Sequence, residues 1–143
     1  MTNMTQEGLA PPPDVIPHRP PFLFIDRVVD VTETEIIAVR TFRPDEDFFR
    51  GHFPDRPIVP GVILVEGMAQ TFAYLGYQHV GAKAVYLAGV DRARFRKPVY
   101  PGQEVEFRVA ITGQRMGLMT GKAEARVEGV KVADAQLSGY AEK

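Results

Sequence analysis

Cysteine is absent from the chain. Its absence excludes disulfides and thiolate metal sites, and it fits a reducing compartment such as the cytoplasm. A surplus of positive charge is missing too. The 17 Lys and Arg are balanced by 18 Asp and Glu, for a net charge of −1 and a pI near 6.3. A nucleic-acid binder would usually carry a basic excess, so none is expected as a partner. The opening residues, MTNMTQEGLAPPPDV, have neither the charged start nor the apolar stretch of a secretory signal. Their polar character and the run Pro11-Pro12-Pro13 predict a flexible arm over residues 1–15, with residues 16–143 forming one domain. No long apolar run is free of polar residues. Val62 to Val80 approaches membrane-spanning length, but it contains Glu66, Gly67, Gln70, Gly76 and Gln78. A buried helix is expected there, without membrane insertion. His18, His52 and His79 are scattered and have no cysteine companions, so no zinc site is expected. There is no glycine-rich phosphate loop or dinucleotide motif, and no cofactor is expected.

What is present is patterned. The chain is 45% hydrophobic, enough to build a core. Phe22–Val31 and Thr34–Phe42 are rich in β-branched and aromatic residues, with Thr32-Glu33 as the turn of a hairpin. Residues 43–61 form a long loop carrying Pro44, Pro54, Pro57 and Pro60. Loops of this length in small domains usually carry function. Pro60 and Gly61 lead into the apolar helix, proline being well suited to a helix start. After Gly81 the period changes to strands: Ala84–Phe95, then Val105–Thr112, then Leu118–Val127, a turn at Glu128-Gly129, and Val130–Ala141. Val105, Phe107, Val109 and Ile111 fall on one face, Glu106 and Arg108 on the other, which indicates antiparallel strands with one wet face. A hairpin, one long buried helix and a three- or four-strand meander make the expected class α+β, with an antiparallel sheet around the helix. A helix apolar nearly all round must be covered all round. The sheet would do most of this, and a second copy of the chain the rest.

Two residues in this frame invite chemistry. His52 lies in the proline-rich loop, and histidine shuttles protons near neutrality. A loop histidine can equally be a hydrogen-bonded structural residue. Glu66 is the one acid in the apolar helix, and a carboxylate in such surroundings needs a firm partner or a proton. It can equally be an early-helix acid favoured by the helix dipole. Gly61 sits where helix N–H groups point outward unpaired, and it also permits a tight turn.

Three blocks carry a resemblance. PHRPPFLFIDRV (Pro17–Val28), GHFPDRPIVPGVILVEGMAQ (Gly51–Gln70) and AGVDRARFRKPVYPGQ (Ala88–Gln103) resemble the β-hydroxyacyl-[acyl-carrier-protein] dehydratases of type II fatty-acid synthesis. The resemblance covers about residues 16–137. It implies a hot-dog fold, with a sheet wrapped around a central helix. It also implies removal of water from a β-hydroxyacyl thioester on acyl carrier protein to give the trans-α,β-enoyl thioester in fatty-acid elongation. His52 then matches the base, Glu66 the acid at the departing hydroxyl, and the Gly61 N–H the donor to the thioester oxygen. Phe53, Pro60 and Val62 would line the acyl tunnel. The family implies homodimers, often assembled as trimers of dimers, with sites shared between subunits. A hot-dog enoyl-CoA hydratase or an acyl thioesterase is the alternative on the same fold.

Two departures from the family pattern stand out. Gly67 replaces the usual alanine after the acid, at a helix cost of about 0.5–1 kcal/mol. Asp47 precedes His52 at a spacing that superficially matches the hydratases, but FPDRP follows the histidine, so Asp47 reads as a surface acid and Arg56 as a brace for the loop. Arg92, Arg94 and Arg96 alternate onto one strand face, with Lys97 beside them. They are candidates for docking an acidic carrier protein, or a solvated strand face.

Overall fold

The computed structural model of the protein describes residues 9–143. A short helix, α1 (Pro12–Val15), is followed by β1 (Arg27–Val31), β2 (Glu35–Thr41), a 3-10 turn at Asp47–Arg50 and the long helix α2 (Gly61–Leu75). Four strands complete the chain: β3 (Ala84–Phe95), β4 (Glu104–Arg115), β5 (Leu118–Val127) and β6 (Val130–Glu142). All pair antiparallel in one six-stranded sheet of order β1-β2-β4-β5-β6-β3. The sheet curls about α2, which touches β2 through β6. This is the hot-dog arrangement.

The alternation along β4 does what its period requires. Val105, Phe107 and Val109 are buried under α2, and Ile111 is partly buried. Met68, Phe72 and Leu75 of α2 meet them, together with Met119 and Leu137 from β5 and β6. Each such side chain contributes on the order of 1.5–3 kcal/mol by leaving water. The β5–β6 connection is a two-residue turn in which Glu128 (φ 51) and Gly129 (φ 79) are both left-handed. That geometry matches the twist of the flanking strands.

Three features differ from the sequence expectation. Phe22–Asp26 is extended but is not a strand, because the side chain of Gln70 stands in for a neighbouring strand. Its Oε1 accepts from the Phe24 N–H at 2.8 Å, and its Nε2 donates to the Phe22 carbonyl at 2.9 Å. Secondly, β3 does not join β4 in a meander. It crosses to the far edge and pairs with β6. Thirdly, α2 proper ends at Leu75 and continues as a π turn over Gly76–Val80. The flexible-arm expectation falls partly on residues 1–8, which lie outside the described residues. From Leu9 onward the chain is docked: Pro12 is buried, and the buried Tyr74 hydroxyl donates to the Ala10 carbonyl at 2.9 Å.

Candidate active site

The front of α2 is an uncapped helix end. Pro60 precedes it with φ −57 and ψ 137, no side chain caps it, and its first turn holds no acid. The N–H groups of Ile63 and Leu64 turn back to the Pro60 carbonyl at 2.9 and 3.3 Å. Those of Gly61 and Val62 have no acceptor within the helix. A Cβ on Gly61 would lie 2.9 Å from two carbons of the half-exposed Phe95 ring and would push that ring aside. Unpaired N–H groups at the positive end of a helix dipole form a site for developing negative charge.

Glu66 lies one turn further on, its side chain 23% exposed. Its Oε2 accepts from Gln70 Nε2 at 2.9 Å, while Gln70 itself is fully buried. The Gln70 amide thus holds three groups at once: Phe24 N–H, Phe22 carbonyl and Glu66 Oε2. Turning the amide over would break all three contacts, so its orientation is determined by its neighbours. His18 Nε2 approaches the same Oε2 at 3.8 Å. Both of these contacts are to Oε2. Sequence reasoning passed over Gln70 and His18. The four-residue spacing of Glu66 and Gln70 on one helix face was a usable signal for the first. Nothing local pointed to the second.

His52 stands in a loop folded on itself. Phe53 and Arg56 exchange backbone hydrogen bonds at 3.2 and 3.0 Å, and the Ile58 N–H reaches the His52 carbonyl at 3.1 Å. Arg56 therefore braces the loop through its backbone. The His52–Phe53 peptide is cis, and the two rings stack with centroids 4.1 Å apart. His52 Nδ1 lies 2.9 Å from the Ile58 carbonyl, an acceptor that can only receive a proton. The proton is therefore on Nδ1, and Nε2 keeps the lone pair that a general base needs. Asp47 pairs with Arg50 at 2.8 Å on the surface, both side chains more than four-fifths exposed.

The chain does not bring every candidate together. Among the described residues no hydrogen bond or ion pair joins His52 to Glu66. The front third of α2 has no roof: Val62 is 73% exposed and Phe53 50%, while Pro60 is half-buried. One chain leaves these three as an open apolar surface. Arg92, Arg94 and Arg96 line a groove of about 730 Å³ on the outer face of the sheet, with Arg108, Lys122 and Lys131. Their strand is not regular, because Arg92 adopts φ 53 where the pairing with β6 shifts register. Arg96 is committed to Asp134 at 2.8 Å, and Lys131 lies 3.4 Å from Glu124. Lys97 is exposed beside the groove.

The FabA-like domain family matches residues 16–136. The chain belongs to that family. Among curated relatives of the chain, the 3-hydroxyacyl-[acyl-carrier-protein] dehydratase FabZ of Aromatoleum aromaticum is 42% identical over 129 residues, which cover 86% of this chain and 89% of that protein. The FabZ of Methylobacterium radiotolerans is 40% identical over 131 residues, covering 87% and 83%. Among solved structures, a chain of the dehydratase heterocomplex ApeI:P from Xenorhabdus doucetiae superposes with a TM-score of 0.82 over 94% of this chain and 92% of its own, at 18% identity. A mutant of the phenylacetic acid degradation protein PaaI from Thermus thermophilus gives 0.63 over 80% and 90%, also at 18% identity. At such low identity these two likenesses show the fold alone. In this member of the FabA-like family, the motif residues His52 and Glu66 are both present, each held by the neighbours described above. No helix among the described residues is long and apolar enough to cross a membrane.

Proposed function

We propose that the protein is a 3-hydroxyacyl-[acyl-carrier-protein] dehydratase. The observation that carries this reading is the pair of complementary groups. His52 has its Nδ1 proton committed to Ile58, and Glu66 has its Oε2 held by Gln70. In the reaction, Nε2 of His52 takes the α-proton of the β-hydroxyacyl thioester. The electrons of that C–H bond form the Cα–Cβ double bond. The Cβ–O bond breaks, and the departing hydroxyl takes a proton from Glu66 to leave as water. The charge that grows on the thioester oxygen is met by the Gly61 N–H, a kind of donor worth roughly 100- to 1000-fold in rate. The conjugate pair His52-H⁺ and Glu66 carboxylate then returns to its starting state by proton exchange. Atoms and protons balance with these groups alone.

The site is completed by a second chain in this reading. β3 is an edge strand with no buried residue, and it exposes Tyr86, Leu87, Val90 and Phe95. Long apolar edges of this kind invite pairing with another strand. A homodimer joined there would cover the open apolar surface around Val62 and Phe53, turning it into a tunnel with Pro60 on its wall. Three such dimers could assemble further. The acyl carrier protein is the substrate's carrier, and its docking is assigned to Arg92, Arg94, Arg96 and Lys97. A cytoplasmic location agrees with the absence of cysteine. The alternative, a hot-dog enoyl-CoA hydratase or thioesterase, is less well supported, since Asp47 is tied to Arg50 at the surface.

The test is direct. Purified protein is incubated with a 3-hydroxyacyl carrier-protein thioester, and the enoyl absorbance and free thiol are followed together. Enoyl formation without thiol release is expected. Thiol release at the same rate would make the protein a thioesterase instead.

A further inference from the structure

We infer that His18 is a positioning residue for this chemistry, acting through Glu66: its imidazole stands 3.8 Å from the Oε2 that Gln70 holds, closes the other side of that oxygen and keeps the carboxyl in place. The inference rests on the reading of Glu66 as the acid. Three observations carry it. His18 Nε2 lies 3.8 Å from Glu66 Oε2, the oxygen that Gln70 already holds. His18 Nδ1 is buried without a hydrogen-bond partner. Arg19, the adjacent cation, donates to the Ile16 and His18 carbonyls at 3.0 and 2.7 Å. Those two bonds tie the Arg19 side chain back onto its own segment, while the imidazole of His18 lies against Glu66 of α2.

The orphaned Nδ1 decides the tautomer. A buried N–H without an acceptor costs more than a buried lone pair without a donor, because the donor has only one way to be satisfied. The proton is therefore on Nε2, facing Glu66. Burial keeps the ring neutral, holding its pKa below the ordinary histidine value. Glu66 pulls in the opposite direction, and Arg19 adds a smaller push downward. Those are the charged groups that act on it, Glu66 from α2 and Arg19 from its own segment. Neutrality has a chemical purpose. A protonated His18 would form an ion pair with Glu66 and hold it as the carboxylate, which cannot give a proton to the departing hydroxyl. A neutral imidazole keeps the carboxyl in place without an ion pair. His18 thus titrates only at acid pH, and when it does, the acid is lost.

The experiment combines kinetics with imidazole NMR on the native assembly. The chain has three histidines, so each ring signal is assigned by single substitution. His18 is expected to titrate below the ordinary histidine range, and to move lower still in Glu66→Gln, where the opposing carboxylate is gone. His18→Leu, which has no donor, should lower kcat by roughly tenfold with KM little changed, less than the 100-fold that misplacing a catalytic group can cost. His18→Gln keeps a neutral donor and cannot ionise. It should restore kcat to within a few-fold at neutral pH and leave a single ionisation on the acid limb. If His18→Leu fails to fold, His18→Gln and the NMR titration carry the test. An unshifted His18 that ignores Glu66→Gln, or a His18→Gln enzyme with the native acid limb, overturns the inference. A fully active Glu66→Gln enzyme overturns instead the assignment of Glu66 as the acid.

Discussion

Gly67 lies directly beneath the ring of Phe107. A methyl group added to the glycine would come within 2.3 Å of Phe107 Cζ, and the ring is fully buried. The missing methyl on α2 and the large ring on β4 are therefore fitted to each other. The pair sits one residue from Glu66, so its fit sets where the acid stands.

Gly67→Ala is expected to destabilise the protein. The better helix propensity contributes about 0.5–1 kcal/mol, but overpacking a close-fitting core costs about 1–3 kcal/mol. A net loss of about 1–2 kcal/mol in urea unfolding follows. Phe107→Leu should cost stability alone and rescue part of it in the Gly67→Ala background, a favourable coupling in a double-mutant cycle. A Gly67→Ala protein more stable than the parent would show that the ring yields without cost.

His52→Ala should lower dehydration by about 100- to 10,000-fold, the usual worth of a general base. The melting temperature should stay near that of the parent, because the ring makes one backbone contact and one ring contact. Near-native turnover would remove His52 from the mechanism.

A site shared between chains predicts complementation. Inactive His52→Ala and inactive Glu66→Gln chains are unfolded and refolded together. About half the dimers in a random mixture are mixed, and each of these has one site with both native groups, so activity should return to roughly a quarter of wild type under two-fold symmetry. Confirmed chain exchange without any return of activity would place both groups in one chain's site.

Charge reversal probes carrier docking. Arg92 and Arg94 have no ion-pair partner among the described residues, whereas Arg96 is bound to Asp134. Arg92→Glu with Arg94→Glu should raise KM for the carrier-bound substrate by roughly tenfold or more and leave a small thioester analogue nearly unaffected, with the difference shrinking at high salt. Equal effects on both substrates would count against docking on this face.

Tyr74 links α2 to the segment before α1. Tyr74→Phe removes the bond to Ala10 and should cost about 1 kcal/mol. Burial raises the phenol above its ordinary value, outweighing the bond to Ala10, which lowers it. The sign follows: a raised folded pKa means stability fully present below about pH 10 and lost as pH rises through the folded value. The parent should thus lose more stability than Tyr74→Phe between pH 9 and pH 11, about one unit either side of the ordinary tyrosine value. Parallel losses would show that Tyr74 ionises without resistance.

By itself the sequence determined those features whose cause is local. Alternation placed β5 at Leu118–Val127 and the buried face of β4 at Val105, Phe107 and Val109, because a half-buried strand must repeat every two residues. Gly129 marked the β5–β6 turn, since glycine takes the left-handed conformation without a Cβ penalty. Pro60-Gly61 marked the start of α2. Only the tertiary structure decided which strands are neighbours. Period tells a strand which face is buried and says nothing of its partner, so the crossing of β3 to β6 could not be read from it. The same holds for Glu66. It is held by Gln70 one turn away, which is itself fixed by the backbone of Phe22 and Phe24, and it is faced by His18, these three lying far back along the chain. A carboxylate drawn partly out of water must be satisfied by something, and the folded chain chose what.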